Sequence, residues 1–137
     1  MATQTIKIFC DGGSRGNPGP AASGVVFIDA DSNVVAEYSK YLGIQTNNYA
    51  EYSAVLLALD NISEYKDMKI EFYLDSQLVE KQLNGEYRVK NANISPLYRE
   101  IINKIVGLDI SFTHVYRSDN KLADEQVNIC LDRQSEK

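Results

Sequence analysis

Two apolar runs in this chain close on an aspartate: "IKIFCD" ends at Asp11 and "KIEFYLD" at Asp75. Carboxylate oxygens are ligands for hard divalent cations, and two strands lying side by side, about 4.8 Å apart, would let both acids share one ion. Glu51 and Asp124 are the other acids of interest. Each of the four also has a plain structural reading. Asp11 suits a turn, and Asp75 suits the cap of a helix that follows it. Glu51 stands three residues after Asn48, the spacing of a capping box, and Asp124 lies in a first helical turn, where its charge suits the helix dipole. Taken singly, each plain reading is adequate. Taken together, four acids near one sheet edge repel unless a cation sits among them.

The elements that must position these acids follow from the hydrophobic pattern. Residues 5–11 alternate as a strand, "SGVVFIDA" and "NVVAEYSKYL" are two more, and "DADSN" at 29–33 joins them as a hairpin. In "NNYAEYSAVLLALDNI", Val55, Ala58, Leu59 and Ile62 recur at helical spacing. A strand over 69–75 is followed by a short helix in "SQLVEKQLN" and a loop in "NGEYRVKNANIS". A helix then begins at "SPLYREIINKIVG", with Pro96 in its first turn and Gly107 at its end. "DISFTHVY" is the fifth strand, and "NKLADEQVNICLD" the last helix. The expected fold is α/β, with three meandering strands, then alternation, in the order βββαβαβα: a five-stranded mixed sheet flanked by helices. If the fourth strand lies parallel to the first, Asp11 and Asp75 meet at neighbouring carboxyl ends, where open α/β sheets hold ligands.

Between Ile8 and Gly24 the chain holds five glycines and two prolines. These suit a turn, or a loop so bare that another polymer's backbone can come close.

At 137 residues the chain is expected to be a single domain over 1–137, and 44% apolar with 24% charged residues is a globular balance. Its net charge of −5 excludes a binder that relies on a general positive field, but not a nucleic-acid enzyme whose metal ions offset clustered acids. Cys10 and Cys130 fit no zinc or CxxC spacing. Cys10 is expected in the core, on the strand face opposite Asp11, and Cys130 as a free thiol on the last helix. No run approaches the roughly 18 apolar residues of a membrane helix, and the first residues lack the pattern of a secretion signal. A cytoplasmic monomer is expected, with no membrane partner.

Four ordered stretches, "DGGSRGNPGPAASG", "TNNYAEYSAVLLAL", "DSQLVEKQLNGEYRVKN" and "HVYRSDNKLADEQVN", resemble the signatures of type 1 ribonuclease H, and the resemblance runs from Ile6 to about Asp132. It implies a ribonuclease H-like fold and a metal-dependent endonuclease that hydrolyses the RNA strand of RNA–DNA hybrids, leaving 5′-phosphate and 3′-hydroxyl ends. It further implies that Asp11, Glu51, Asp75 and Asp124 are both the catalytic residues and the ligands of two Mg²⁺ ions, for which Mn²⁺ can substitute. Gly12, Gly13, Ser14, Asn17, Asn47 and Asn48 match the family's contacts to the RNA strand. Thr46 and Asn91 match its pocket for a DNA-strand phosphate.

The chain departs from the family in three places. It lacks the long basic insertion ahead of the helix at Ser95, having only Arg88 and Lys90 there. Ile44 stands where some relatives have an arginine, and the loop "RSDNK" is too short to carry the catalytic histidine of a longer-looped subgroup. His114 is read as a packed strand residue and Arg117 as the candidate for assisting product release. Two alternatives accompany this reading: a hybrid-binding module without catalysis, and a metal-dependent 3′ exonuclease of related fold. A full set of acids argues against the first, and the second would need a free strand end.

Overall fold

The alternation in "TIKIFC" places Ile6, Ile8 and Cys10 on one face of the first strand, where all three are fully buried, and leaves Lys7 and Phe9 on the other. The structure, a computed structural model, describes residues 4–135. Its strands are β1 (Thr5–Ser14), β2 (Gly19–Ile28), β3 (Val34–Gln45), β4 (Lys69–Leu74) and β5 (Asp109–His114). Its helices are α1 (Asn47–Leu59), α2 (Gln77–Leu83), α3 (Ser95–Lys104) and α4 (Lys121–Ser135), with short 3-10 turns at Ser63–Tyr65 and Arg117–Asp119. The sheet order is β3-β2-β1-β4-β5. β1, β2 and β3 pair antiparallel, whereas β4 is parallel to both β1 and β5.

The expected mixed sheet is therefore present. The connection from β4 to β5 carries two helices rather than one, so the order is βββαβααβα. Both helices, α2 and α3, fall in the segments where the sequence pattern predicts helix.

The main core lies between the sheet and the helices α1 to α3, with Ile8, Phe27, Ile70 and Phe72 meeting Tyr52, Val55, Val79 and Ile101. α4 covers the opposite face, where Val127, Cys130 and Leu131 pack on Ala22. Cys10 is buried in the core and Cys130 is a free thiol on α4, as expected, and Cys130 is buried as well. The hairpin at 29–33 is held by Asp29, whose Oδ1 accepts from the N–H groups of Asp31 and Asn33 at 3.0 and 2.9 Å. Among the described residues no helix is long and apolar enough to cross a membrane.

One boundary differs in a way that matters for the site. β1 does not end at Asp11. It loses β4 after Cys10 pairs with Leu74, yet it continues beside β2 from Asp11 opposite Gly24 to Ser14 opposite Ala21. Gly12 and Gly24 serve packing instead, whereas Gly16, at φ +91°, keeps the turn role in the bend at 15–18. A Cβ on Gly12 would lie 2.1 Å from the Ala50 carbonyl carbon, and one on Gly24 would lie 2.5 Å from the Ala123 carbonyl oxygen. At Gly12, the backbone that comes close is that of the protein's own helix α1.

Candidate active site

Because the parallel ladder between β1 and β4 ends at Cys10 and Leu74, the next residue on each strand is an aspartate, and Asp11 and Asp75 emerge together. Glu51 arrives from α1, which the bare edge of Gly12 admits to close contact. One carboxylate oxygen from each of Asp11, Glu51 and Asp75 lies within 4.8 Å of the other two. Asp124, in the first turn of α4, is outside this three-way cluster but lines the same cavity of about 430 Å³. Its Oδ1 is 3.8 Å from Arg117, and its Oδ2 accepts from Asn128 at 3.4 Å.

α1 is capped by Thr46, whose Oγ1 accepts from the Tyr49 N–H at 3.2 Å, so Asn48 is not the N-cap and Glu51 is not at the capping-box position. α2 is capped by Ser76, whose Oγ accepts from the Val79 N–H at 3.3 Å, so Asp75 is not its cap. Glu51 is only 6% exposed, and its Oε2 is buried without a hydrogen-bond partner. A carboxylate left in that condition is costly, and a cation would satisfy it.

Charge follows the same logic. Asp11 is 7% exposed, and its carboxyl is pushed up to about 8, first by burial, then by the charge of Asp75, then by the Asp124 carboxyl beside it. Burial also drives Glu51 well above the usual carboxylate range, with Asp11 and Asp75 adding to it. Such a group holds protons unless a cation replaces them. All four acids offer hard oxygen donors, the type that Mg²⁺ takes. With the orphaned oxygen of Glu51, the donor set fits that ion.

The expected substrate residues fall into two groups. Gly12, Gly13, Ser14 and Asn47 line the cavity with the acids, as does Arg117, whose side chain is 83% exposed. Asn47 Oδ1 accepts from both the backbone N–H and the hydroxyl of Ser14, at 2.8 and 3.0 Å, and the Asn47 N–H donates to Asn17 Oδ1 at 3.0 Å. Asn17, Thr46, Asn48 and Asn91 do not line that cavity. Thr46 serves as a cap, and Asn91 Oδ1 accepts from the Asn93 N–H at 2.8 Å ahead of α3. His114 is half-buried against Tyr116, outside the cavity lining, as expected of a packed strand residue.

Asn120 went unnoticed in the sequence. It is 1% exposed, and its Nδ2 donates to the Cys10 carbonyl at 2.9 Å and to Asp75 Oδ2 at 3.3 Å, tying both aspartate-bearing strand ends to the start of α4. Its only sequence signal was an asparagine just before a helix, which reads as a cap. Arg15 was missed as well, although it lines the cavity.

Residues 9–130 match the family model described as reverse transcriptase-like. Ribonuclease HI of Halobacterium salinarum is 41% identical over 128 residues, which cover 93% of this chain and 64% of that protein. The chain belongs to the type 1 ribonuclease H family. Among solved ribonucleases H1, LC11-RNase H1 in complex with an RNA/DNA hybrid has a TM-score of 0.90 and 38% identity, covering 94% of this chain and 98% of that one. The N-terminal RNase H domain of Rv2228c from Mycobacterium tuberculosis, solved as a fusion with maltose-binding protein, has a TM-score of 0.90 and 34% identity over 98% of each chain. The chain spans 64% of the Halobacterium enzyme and 35% of the full-length bifunctional protein Rv2228c.

Proposed function

We propose that this ribonuclease H domain is an endonuclease that hydrolyses the RNA strand of RNA–DNA hybrids, using two Mg²⁺ ions for which Mn²⁺ can substitute. The observation that carries the reading is the meeting of Asp11, Glu51 and Asp75 within 4.8 Å, two of them held far above ordinary carboxylate behaviour by burial and mutual repulsion. Likeness to a ribonuclease H1 solved with an RNA/DNA hybrid supports the choice of substrate.

When bound, the ions supply an activated water and stabilise charge on the leaving 3′ oxygen. Asp11, Glu51, Asp75 and Asp124 hold them, and none of the four need act as a nucleophile. Asn120 keeps Asp75 and the end of the β1–β4 ladder in place. Gly12, Gly13, Ser14, Asn17, Asn47 and Asn48 face the RNA strand, whose 2′-hydroxyls lie open in a wide minor groove and suit short polar side chains and backbone groups. Thr46 and Asn91 serve the DNA-strand phosphate. Arg117, exposed beside Asp124, meets the product phosphate and eases its release. The domain works as a cytoplasmic monomer.

The test is to incubate the purified protein and Mg²⁺ with end-labelled RNA–DNA, RNA–RNA, DNA–DNA and single-stranded RNA. Internal cleavage of the hybrid's RNA alone, with 5′-phosphate products, is expected. Products ending in 2′,3′-cyclic phosphate, or cleavage only from a free end, would overturn the proposal.

A further inference from the structure

The catalytic cavity is acidic, yet its proposed substrate is a polyanion. Arg15 and Arg117 are the two cationic residues in its lining, and each is beside an acid. Arg117 sits next to Asp124, within the metal site. Arg15 is at the other end, where Val127, Asn128 and Leu131 of α4 continue the lining and Asp132 follows. From Asp124 to Asp132 the helix rises about 12 Å, the span of a few nucleotides at about 3.4 Å each.

Arg15 is fixed at its base and free at its tip. The residue before it is held twice by Asn47, and its own N–H donates to the Pro20 carbonyl at 2.9 Å. Its guanidinium bonds Asp132 at 2.6 Å, with the two side chains 44% and 64% exposed. A pair that open to water contributes little to stability. A phosphodiester offers the same guanidinium a second anionic partner of matching geometry.

We infer that Arg15 is a phosphate-binding residue for the nucleic-acid strand in the cavity, and that Asp132 is its internal competitor, occupying the guanidinium until substrate displaces it. The inference rests on the hybrid-nuclease reading above. Arg15 adds attraction a few nucleotides from the scissile bond, and Asp132 weakens non-productive binding of any polyanion. Because the contact lies away from the bond being cut, it acts on binding rather than on the chemical step.

Hybrid binding in Ca²⁺, measured across a salt series, tests this with Arg15→Ala, Arg15→Lys, Asp132→Asn and the double variant Arg15→Ala/Asp132→Asn. Arg15→Ala should weaken binding about tenfold, lower the slope of log affinity against log salt by about one, and raise KM with kcat nearly unchanged. Arg15→Lys should keep the slope and lose part of the affinity. Asp132→Asn should tighten binding several-fold, and that gain should vanish in the double variant. An Asp132→Asn gain that persists without Arg15 would mean a general charge effect and would overturn the pairing. Unchanged affinity in Arg15→Ala, with circular dichroism matching the parent, would overturn the phosphate contact. A parent protein that fails to cleave hybrids would sink the underlying function instead, so the two failures are distinguishable.

Discussion

Asn120 holds Asp75 in place: its side-chain amide is 3.3 Å from Asp75 Oδ2 and 2.9 Å from the Cys10 carbonyl oxygen, in a position only 1% exposed. Replacing it with alanine strands the Cys10 carbonyl and frees Asp75 to turn. The expected result of Asn120→Ala is a stability loss of about 1–3 kcal/mol, the cost of an unsatisfied buried polar group. The Mg²⁺ concentration for half-maximal rate should rise, as should the concentration needed to raise the melting temperature. Asn120→Asp should damage activity more than alanine does, since it sets another negative charge against Asp75. Unaltered Mg²⁺ dependence in both variants would show that Asn120 does not position the ligand.

Asp11→Asn, Asp75→Asn and Glu51→Gln should each remove nearly all activity without unfolding the protein. In the absence of metal their melting temperatures should rise, because each relieves repulsion within the cluster. Retention of more than about a tenth of the parent rate, a barrier change under roughly 1.4 kcal/mol, would exclude that residue as an essential ligand.

The metal-free protein should lose stability as pH rises from about 4 to about 8. Asp11 is raised in the folded state from an ordinary 3.8 to about 8, and Glu51 moves in the same direction. A raised folded-state value means that the contribution is fully present below the unfolded-state value and is lost as pH climbs through the folded one. Mg²⁺ binds the deprotonated acids, so its stabilising effect should be large near pH 8 and small near pH 5. Melting curves with Mg²⁺ or chelator across this range provide the measurement. A metal-free protein whose stability increases over the window would contradict the charge arrangement.

Gly12→Ala should cost about 3 kcal/mol or more, because the new methyl group would lie 2.1–2.3 Å from backbone atoms of Ala50 and Glu51 and would push α1 away from β1. Gly13→Ala, whose Cβ would meet only a Val127 methyl at 3.6 Å, is the mild comparison. Chemical denaturation distinguishes them. Equal stability of the two variants would mean that α1 does not need its close seat.

How legible the molecule was in its sequence depended on the kind of signal. The hairpin at 29–33 and the strands ending at Asp11 and Asp75 followed from local patterns, whereas the parallel pairing of β1 with β4, on which the meeting of the two aspartates depends, entered only as a condition that the ladder fulfils. The continuation of β1 through Gly12 and Gly13 was hidden, because a glycine selected for a close helix contact looks the same in sequence as one selected for a turn. The capping-box alternative for Asn48 and Glu51 could not be settled in sequence, since Thr46, Asn47 and Asn48 are all good caps and only the geometry picks Thr46. Asn120 bonds across 110 positions of chain, and no local pattern reports such a contact.

That long-range contact has a consequence in time. Chains are synthesised from the amino end and their early parts begin to fold first. Asp11, Glu51 and Asp75 leave the ribosome before Asn120 and before α4, which carries Asp124. Until α4 docks on the sheet, Asp124 is missing from the cavity that holds the other three acids. On the hybrid-nuclease proposal, cleavage therefore has to wait for the docking of α4, the element that supplies the fourth acid.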